Sequence, residues 1–187
     1  MGKVVFVGGI HGVGKTTFCN KLTEIYNGSL KHLSASEIIK KYKNYAFKEF
    51  EHKKVKDIDI NQKLLIEGLK KEREKDNILL DGHFVLLDEK GNIKRIGIET
   101  YMALQVNGII LLLDKPKEII KRLNIRAPNH SFTINLLETM QDEELSWAKE
   151  VAKILKLPFK EINFNQCNTY EDCLKESINF ISAYIND

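Results

Sequence analysis

Cysteine is scarce. The 187 residues hold three, Cys19, Cys167 and Cys173, an odd set with no CxxC pair and no dense framework. That excludes a disulfide-stapled secreted scaffold and leads us to expect reduced thiols in a cytoplasmic setting. Long apolar runs are missing too: none approaches the roughly 20 residues that cross a bilayer. The N-terminal run Val4–Val7 ends in glycines and lacks the pattern of a secretory leader. No membrane partner is expected. An excess of one charge sign is also absent, since the net charge is only +3, too little to argue for nucleic acid or a membrane surface. Repeats, low-complexity tracts and linkers are not found, which reads as one domain over 1–187. With 43% hydrophobic and 29% charged residues, usage is that of a globular chain long enough to bury a core.

What is present alternates strand and helix patterns. Val4–Val7 is a short continuous apolar run, the mark of a strand buried on both faces. Glycines follow, and then Phe18, Leu22 and Ile25 recur at helical spacing. Leu30–Leu33 reads as a second strand. Ser34-Ala-Ser-Glu37 and Asp59-Ile-Asn-Gln62 read as capping boxes. They open helices with Ile38, Ile39 and Tyr42, and with Leu64, Leu65 and Leu69, on their apolar faces; the second runs to about Lys75. Residues 43–56 read as irregular. Asn77–Asp81 is a strand, and Phe84–Leu87 with Ile93–Ile98 suggests a hairpin around Lys90-Gly91-Asn92. Gly108–Asp114 is the clearest buried strand, with Pro116 starting the next helix. An amphipathic helix covers 133–156, inward at Leu137, Met140, Trp147, Val151 and Leu155, and is stopped by Leu157-Pro158. Phe159–Phe164 is the last strand, and Thr169 caps a helix with Leu174, Ile178, Ile181 and Ile185 in a stripe. The fold class expected is α/β, a parallel sheet covered by helices on both faces.

One motif is specific. Gly9-Ile-His-Gly-Val-Gly14-Lys15-Thr16 matches G-x-x-x-x-G-K-[ST], with a buried strand before it and an amphipathic helix after it. Phosphate needs several donors converging on a small concavity. Glycines let consecutive backbone N–H groups turn inward, and the following helix adds the positive end of its dipole. The expected ligand is ATP with Mg²⁺, bound by Gly9, His11, Gly12, Val13, Gly14, Lys15, Thr16 and Thr17. Lys15 would meet the β- and γ-phosphates and Thr16 the metal. His11 is read as a loop side chain near phosphate, because a single His does not make a metal site.

Other candidates are less specific. Asp81 ends an apolar strand, at the sheet edge where an acid could hold Mg²⁺ or simply cap a turn. Gly82 lets backbone approach a ligand there, and His83 is either an acceptor contact or a core-edge residue. Asp114 also ends a strand, but before Pro116 it reads as a helix cap. Arg122 and Arg126 sit four apart on one helix, where like charges repel. They form a solvated face or both reach one anion, for which guanidinium forks are suited.

Together these residues resemble the nucleoside-monophosphate kinases among P-loop kinases, nearest the archaeal-type adenylate kinases and broad-specificity nucleotide kinases. The resemblance rests on Gly9–Thr17, Asp81-Gly-His83, Asp114 to Arg126 and the segment Met140–Ala148. It implies a five-stranded parallel sheet, an acceptor-binding helical insertion over 34–75, and a short lid over 122–132 broken at Pro128-Asn129-His130. By position alone it puts the adenine beside Asn163–Asn168. It implies a Mg²⁺-dependent kinase using Lys15, Asp81, Arg122 and Arg126 in catalysis, with Thr16 and Asp81 at the metal. The donor nucleotide and a small acceptor are its partners, and it is a monomer or homodimer. Two features depart from the pattern: no Arg precedes Arg73, leaving Lys53, Lys54 and Lys56 as cations of the acceptor region, and the 84–98 hairpin is extra. The lysines between Lys40 and Lys56, interleaved with Tyr42, Tyr45, Phe47 and Phe50, fit a solvated face, an acceptor flap or a single-strand nucleic-acid groove. An NTP-dependent regulatory ATPase and a polynucleotide-end kinase are the alternative functions. A guanine-specific GTPase is disfavoured, because no NKxD sequence occurs.

Overall fold

The computed structural model describes residues 2–46, 57–73 and 76–185. Its sheet is built from strands whose side chains alternate between two cores. In β1 (Val4–Gly8), Val5 and Val7 enter one apolar cluster and Val4 and Phe6 the other, the period of two expected of a strand covered on both faces. The chain continues through α1 (Lys15–Ile25), β2 (Leu30–Ser34), α2 (Ala35–Ala46), α3 (Asp57–Glu72) and β3 (Asn77–Asp81). A small antiparallel pair follows, β4 (Val85–Leu87) with β5 (Ile93–Arg95), and then α4 (Ile98–Leu104). The last stretch is β6 (Gly108–Leu113), α5 (Pro116–Arg126), α6 (Ile134–Leu155), β7 (Phe159–Asn163) and α7 (Tyr170–Ile185).

Five strands form a parallel sheet in the order β2-β3-β1-β6-β7. One core packs α1, α5 and α7 against it through Phe18, Ile119 and Ile181, and the other packs α2, α3 and α4 through Ile38, Leu69 and Tyr101. α6 serves both, with Leu137 and Met140 in the first and Val151 and Ala152 in the second. Because β1 lies between β3 and β6, its carboxyl end is the point where the chain's connections diverge. Ligands bind there in open α/β sheets, and the glycine loop leaves from that end.

Several boundaries differ from expectation. α2 continues through Lys43 to Ala46, into the stretch read as irregular, and α3 is already helical at Asp57, two residues before the expected cap. The second hairpin strand stops at Arg95. Gly97, extended at φ −61° and ψ 145°, then opens the short helix α4, which closes at Gln105 in the left-handed region. Seven residues are too few for a helical period to stand out in sequence. Thr169 caps as expected, exchanging reciprocal bonds with Asp172, and Thr133, read as the first residue of its helix, is instead the N-cap, its Oγ1 accepting from Leu136 N. The thiol expectation is corrected. Cys167 and Cys173 form a disulfide, because the turn after β7 folds back over the first turn of α7, and only Cys19 is a free thiol. Of the lysine- and aromatic-rich stretch, Phe47, Lys48, Phe50, Lys53, Lys54 and Lys56 lie outside the described residues. Among the described residues, no helix is long and apolar enough to cross a membrane.

Candidate active site

The loop from Gly9 to Gly14 is curled by glycines in conformations other residues avoid. Gly12 has φ 78°, and a Cβ there would meet Leu123 at 2.8 Å, so a side chain would force α5 off the loop. Gly14 has φ 111° and faces open space. It is also the N-cap of α1, and no side chain caps that helix or places an acid in its first turn. The first-turn amides of a helix have no partner within it. The loop therefore presents uncovered N–H groups and the positive end of a helix dipole, which suits a polyphosphate.

Side chains converge on the same spot. Lys15 Nζ donates to the carbonyls of Gly9 at 2.7 Å and Ile10 at 3.2 Å, folding the ammonium over the loop. Burial lowers its pKa from the usual lysine range, against the pull of Glu144 and Asp81. Arg122 donates to the carbonyls of Gly12 at 3.1 Å and Val13 at 3.2 Å, and also pairs with Asp114. Asp114 was expected to cap α5. The N-cap is instead Lys115, without a side-chain bond, and Asp114 holds Arg122 against the loop. The end of β6 is fixed in turn by Gln141, which accepts from Asp114 N and donates to Asp114 O. Arg126 faces the same cavity, close enough to contribute to the lowered pKa of His11 and Lys15.

Of the expected loop ligands, His11, Gly12, Gly14, Lys15, Thr16 and Thr17 line the cavity. Gly9 and Val13 do not: the Gly9 amide turns away from it and the Val13 side chain is buried in the core. The acceptor of the Gly9 amide is Glu144 of α6, a wholly buried carboxyl that also accepts from Phe84 N and Val85 N, at 2.9, 2.9 and 2.7 Å respectively. Burial raises its pKa to about 7, although those three amides and Lys15 pull it down. Glu144 ties the loop to the start of the hairpin, and it was not singled out in the sequence. A signal existed: residues 137, 140, 144, 148 and 151 advance by three or four, so an acid stands in phase with the apolar stripe.

Asp81, at the end of β3, lines the same cavity as Thr16. His32 Nε2 lies 2.6 Å from Asp81 Oδ2, and His32 Nδ1 lies 2.8 Å from Asn20 Oδ1. His32 orients the carboxylate, a role no sequence motif indicated. Cys19, His32 and Asp81 also bring one ligand atom each within 4.8 Å of one another. Burial raises the Cys19 pKa well above its ordinary value, and its sulfur is a soft ligand, whereas Mg²⁺ prefers oxygen. The donors that fit a cation here are therefore oxygens, the Thr16 hydroxyl and the Asp81 carboxylate, a set suited to Mg²⁺.

The His11 and His83 rings lie against each other, tilted by 39° with centroids 4.2 Å apart, and the Phe132 ring centroid lies 5.9 Å from that of His11. Burial, then Lys15 and Arg126, lowers the His11 pKa to about 4. Burial, then Lys15 and His11, pushes His83 well below its usual value. Both rings are neutral at pH 7, and His83 Nδ1 is buried without a partner.

A cavity of about 540 Å³ runs from the loop away between the helices. Gly12, Gly14, Lys15, Thr16, Arg122 and Arg126 line one end. Phe6, Ile39, Gln62, Leu65, Tyr101 and Leu104 line the other. On the far side of α1, Phe164 at the end of β7 stacks on Tyr170 with centroids 5.7 Å apart, and both meet Phe18.

A parallel sheet of this order, with a G-x-x-x-x-G-K-T loop joining its central strand to a helix, defines a P-loop nucleoside-triphosphatase fold. Proteins of this class bind a nucleotide, typically with Mg²⁺. A family model described as AAA domain matches residues 8–145. The chain belongs to that AAA domain family, P-loop proteins that include kinases as well as ATPases. No curated protein matches its sequence.

Proposed function

We propose that the protein is a Mg²⁺-dependent phosphotransferase that moves the γ-phosphate of ATP to a small acceptor. The observation that carries this reading is the single cavity with two unlike ends. A hydrolase needs a phosphate cradle and a water molecule. It has no use for a second, apolar lobe opening from that cradle between α2, α3 and α4.

The residues take distinct roles. The Lys15 ammonium and the first-turn amides of α1 hold the β- and γ-phosphates. Thr16 and Asp81 would hold Mg²⁺, which would supply neutralisation of phosphate charge, and the contact with His32 fixes the Asp81 carboxylate in place. Arg126 is free to swing from its exposed position at the end of α5 onto the transferring group. Arg122, bonded to loop carbonyls, keeps the cradle in shape. Catalysis is then positioning and charge stabilisation. A covalent enzyme intermediate has no part in it.

The test is incubation with γ-labelled ATP, Mg²⁺ and a panel of nucleosides, nucleotides and oligonucleotides. Transfer to a small acceptor is expected. Lys15→Ala should abolish it while the circular-dichroism spectrum stays unchanged. Near-normal transfer by that variant defeats the phosphate assignment. Slow hydrolysis with no labelled acceptor would identify a regulatory ATPase instead, and label only on oligonucleotide ends would identify a polynucleotide kinase.

A further inference from the structure

We infer that the β4–β5 hairpin is the selectivity wall of the acceptor lobe, and that Leu86 sets the size of the flat ring, of the nucleobase kind, that the lobe admits. This rests on the phosphotransfer reading and adds to it a residue that decides between acceptors.

The strand period gives the hairpin two faces. Neighbouring residues of β4 point opposite ways. Leu87, with Ile93 paired to it across the hairpin, packs on the core of α1, α5 and α7. Leu86 packs on the other core, and Ile96, just past β5, belongs to that core. Both Leu86 and Ile96 line the cavity that begins at Lys15 and Thr16. Leu86 is only half-buried, so the fold leaves part of this apolar side chain uncovered. Ile39 of α2 and Leu65 of α3 line the same cavity. Aliphatic side chains therefore reach it from the hairpin and from the helices. A flat heterocycle buries its apolar faces against such walls and keeps a polar edge for Gln62 and Thr100, which also line the cavity.

The wall is held from behind. A two-stranded hairpin alone is marginal in water, but this one is clamped at both ends. Where it begins, Glu144 accepts from Phe84 N and Val85 N at 2.9 and 2.7 Å. Where it ends, Ile96 N donates to Phe84 O at 2.9 Å and Trp147 Nε1 donates to Ile96 O at 2.7 Å. Arg95 lies over the Trp147 ring, 5.1 Å from its centroid, and pairs with Glu143 at 3.0 Å. At the turn, Asp88 Oδ1 accepts from Lys90 N and Asn92 N at 2.9 and 2.8 Å. Glu143, Glu144 and Trp147 all belong to α6, and Glu144 also holds Gly9 of the phosphate loop. One helix thus fixes both the donor's loop and this wall. A wall so fixed discriminates by size, because a ligand that overlaps it does not push it back.

The experiment compares wild type, Leu86→Ala and Leu86→Phe in transfer from Mg²⁺-ATP. The acceptors are purine and pyrimidine nucleosides, their 5′-monophosphates, and ribose, which lacks a base. Equilibrium binding of an ATP analogue is measured alongside and reports a folded cradle. Leu86→Ala should shift the purine-to-pyrimidine ratio of kcat/KM at least about tenfold toward the larger ring, and Leu86→Phe should shift it the other way. Both variants should bind the analogue as wild type does. A leucine that only filled space in the fold would, when truncated, lower transfer to all acceptors alike and leave the ratio where it was. An unchanged ratio in variants that bind the analogue overturns the inference and leaves the phosphotransfer reading intact. So does transfer to ribose as efficient as transfer to the nucleosides. ATP binding with no acceptor labelled sinks the phosphotransfer reading, and this inference with it.

Discussion

Glu144 shows how one side chain can set the shape of a ligand loop. Its carboxylate accepts amides from Gly9 and from the start of the hairpin, Phe84 and Val85. Three such bonds favour the charged form, but complete burial opposes it more strongly, and the pKa stands at about 7 against an ordinary 4.5. The folded state therefore takes up this proton more readily than the unfolded chain does. The stability tied to it is fully present below pH 4.5 and is lost as pH rises to 7, a change of about 3 kcal/mol. Glu144→Gln should remove that slope. The variant should also be less stable by about 1–3 kcal/mol, because the amide's NH₂ then opposes one of the three N–H donors. Urea unfolding of both proteins between pH 4.5 and 7.5 measures the difference, and parallel curves would refute the assignment. The same residue marks a limit of sequence reading. The glycine motif was legible because its chemistry is local. Glu144 does its work on residues 135 and 60 positions away, and a charge inside an apolar stripe reveals its position but not its partners. His32 was harder still, since only the pairing of β2 with β3 brings it to Asp81.

At the scale of elements, α5 is a clasp on the loop more than a solvated surface. Its Leu123 packs where a side chain on Gly12 would clash, and its Arg122 fork spans loop carbonyls and Asp114. The spacing of Arg122 and Arg126 identified the helix face, yet it did not separate their duties: Arg122 is bonded and Arg126 exposed. A lysine cannot reproduce a forked contact. Arg122→Lys should therefore weaken ATP binding nearly as much as Arg122→Ala, by about tenfold, and Asp114→Asn should weaken it in the same direction. Calorimetric titration with an ATP analogue decides this. Wild-type affinity in the Lys variant would mean that charge alone matters here. Strands β1, β3 and β6 were readable because buried parallel strands are continuous apolar runs. α4 was not, because seven residues set off by Gly97 and closed by a left-handed Gln105 carry less than two full periods.

The whole molecule joins two cores across one sheet, and the cavity lies where helices from both sides meet the carboxyl ends of the strands. α1 and α5 belong to the core on one face, α2, α3 and α4 to the core on the other. On the proposed function a nucleotide held by the loop touches the first group and an acceptor would touch the second, so these ligands would bind the folded state across its central seam and have no site on the unfolded chain. Linkage then fixes the outcome. At a hundred times its Kd, one ligand adds about 2.7 kcal/mol. For a chain of 187 residues each kcal/mol raises Tm by about 2–4 °C. Mg²⁺ with an ATP analogue should therefore raise Tm by about 5–10 °C, and the bound acceptor should add a further rise. Lys15→Ala should lose most of the first increment and keep the melting temperature of the unliganded protein. The net charge of +3 is spread thinly, while Lys15, Arg122 and Arg126 concentrate positive charge at the loop. The nucleotide increment should shrink with added salt. Thermal melts at low and high ionic strength measure the change. A nucleotide increment indifferent to salt would contradict the seating of the triphosphate among those three cations.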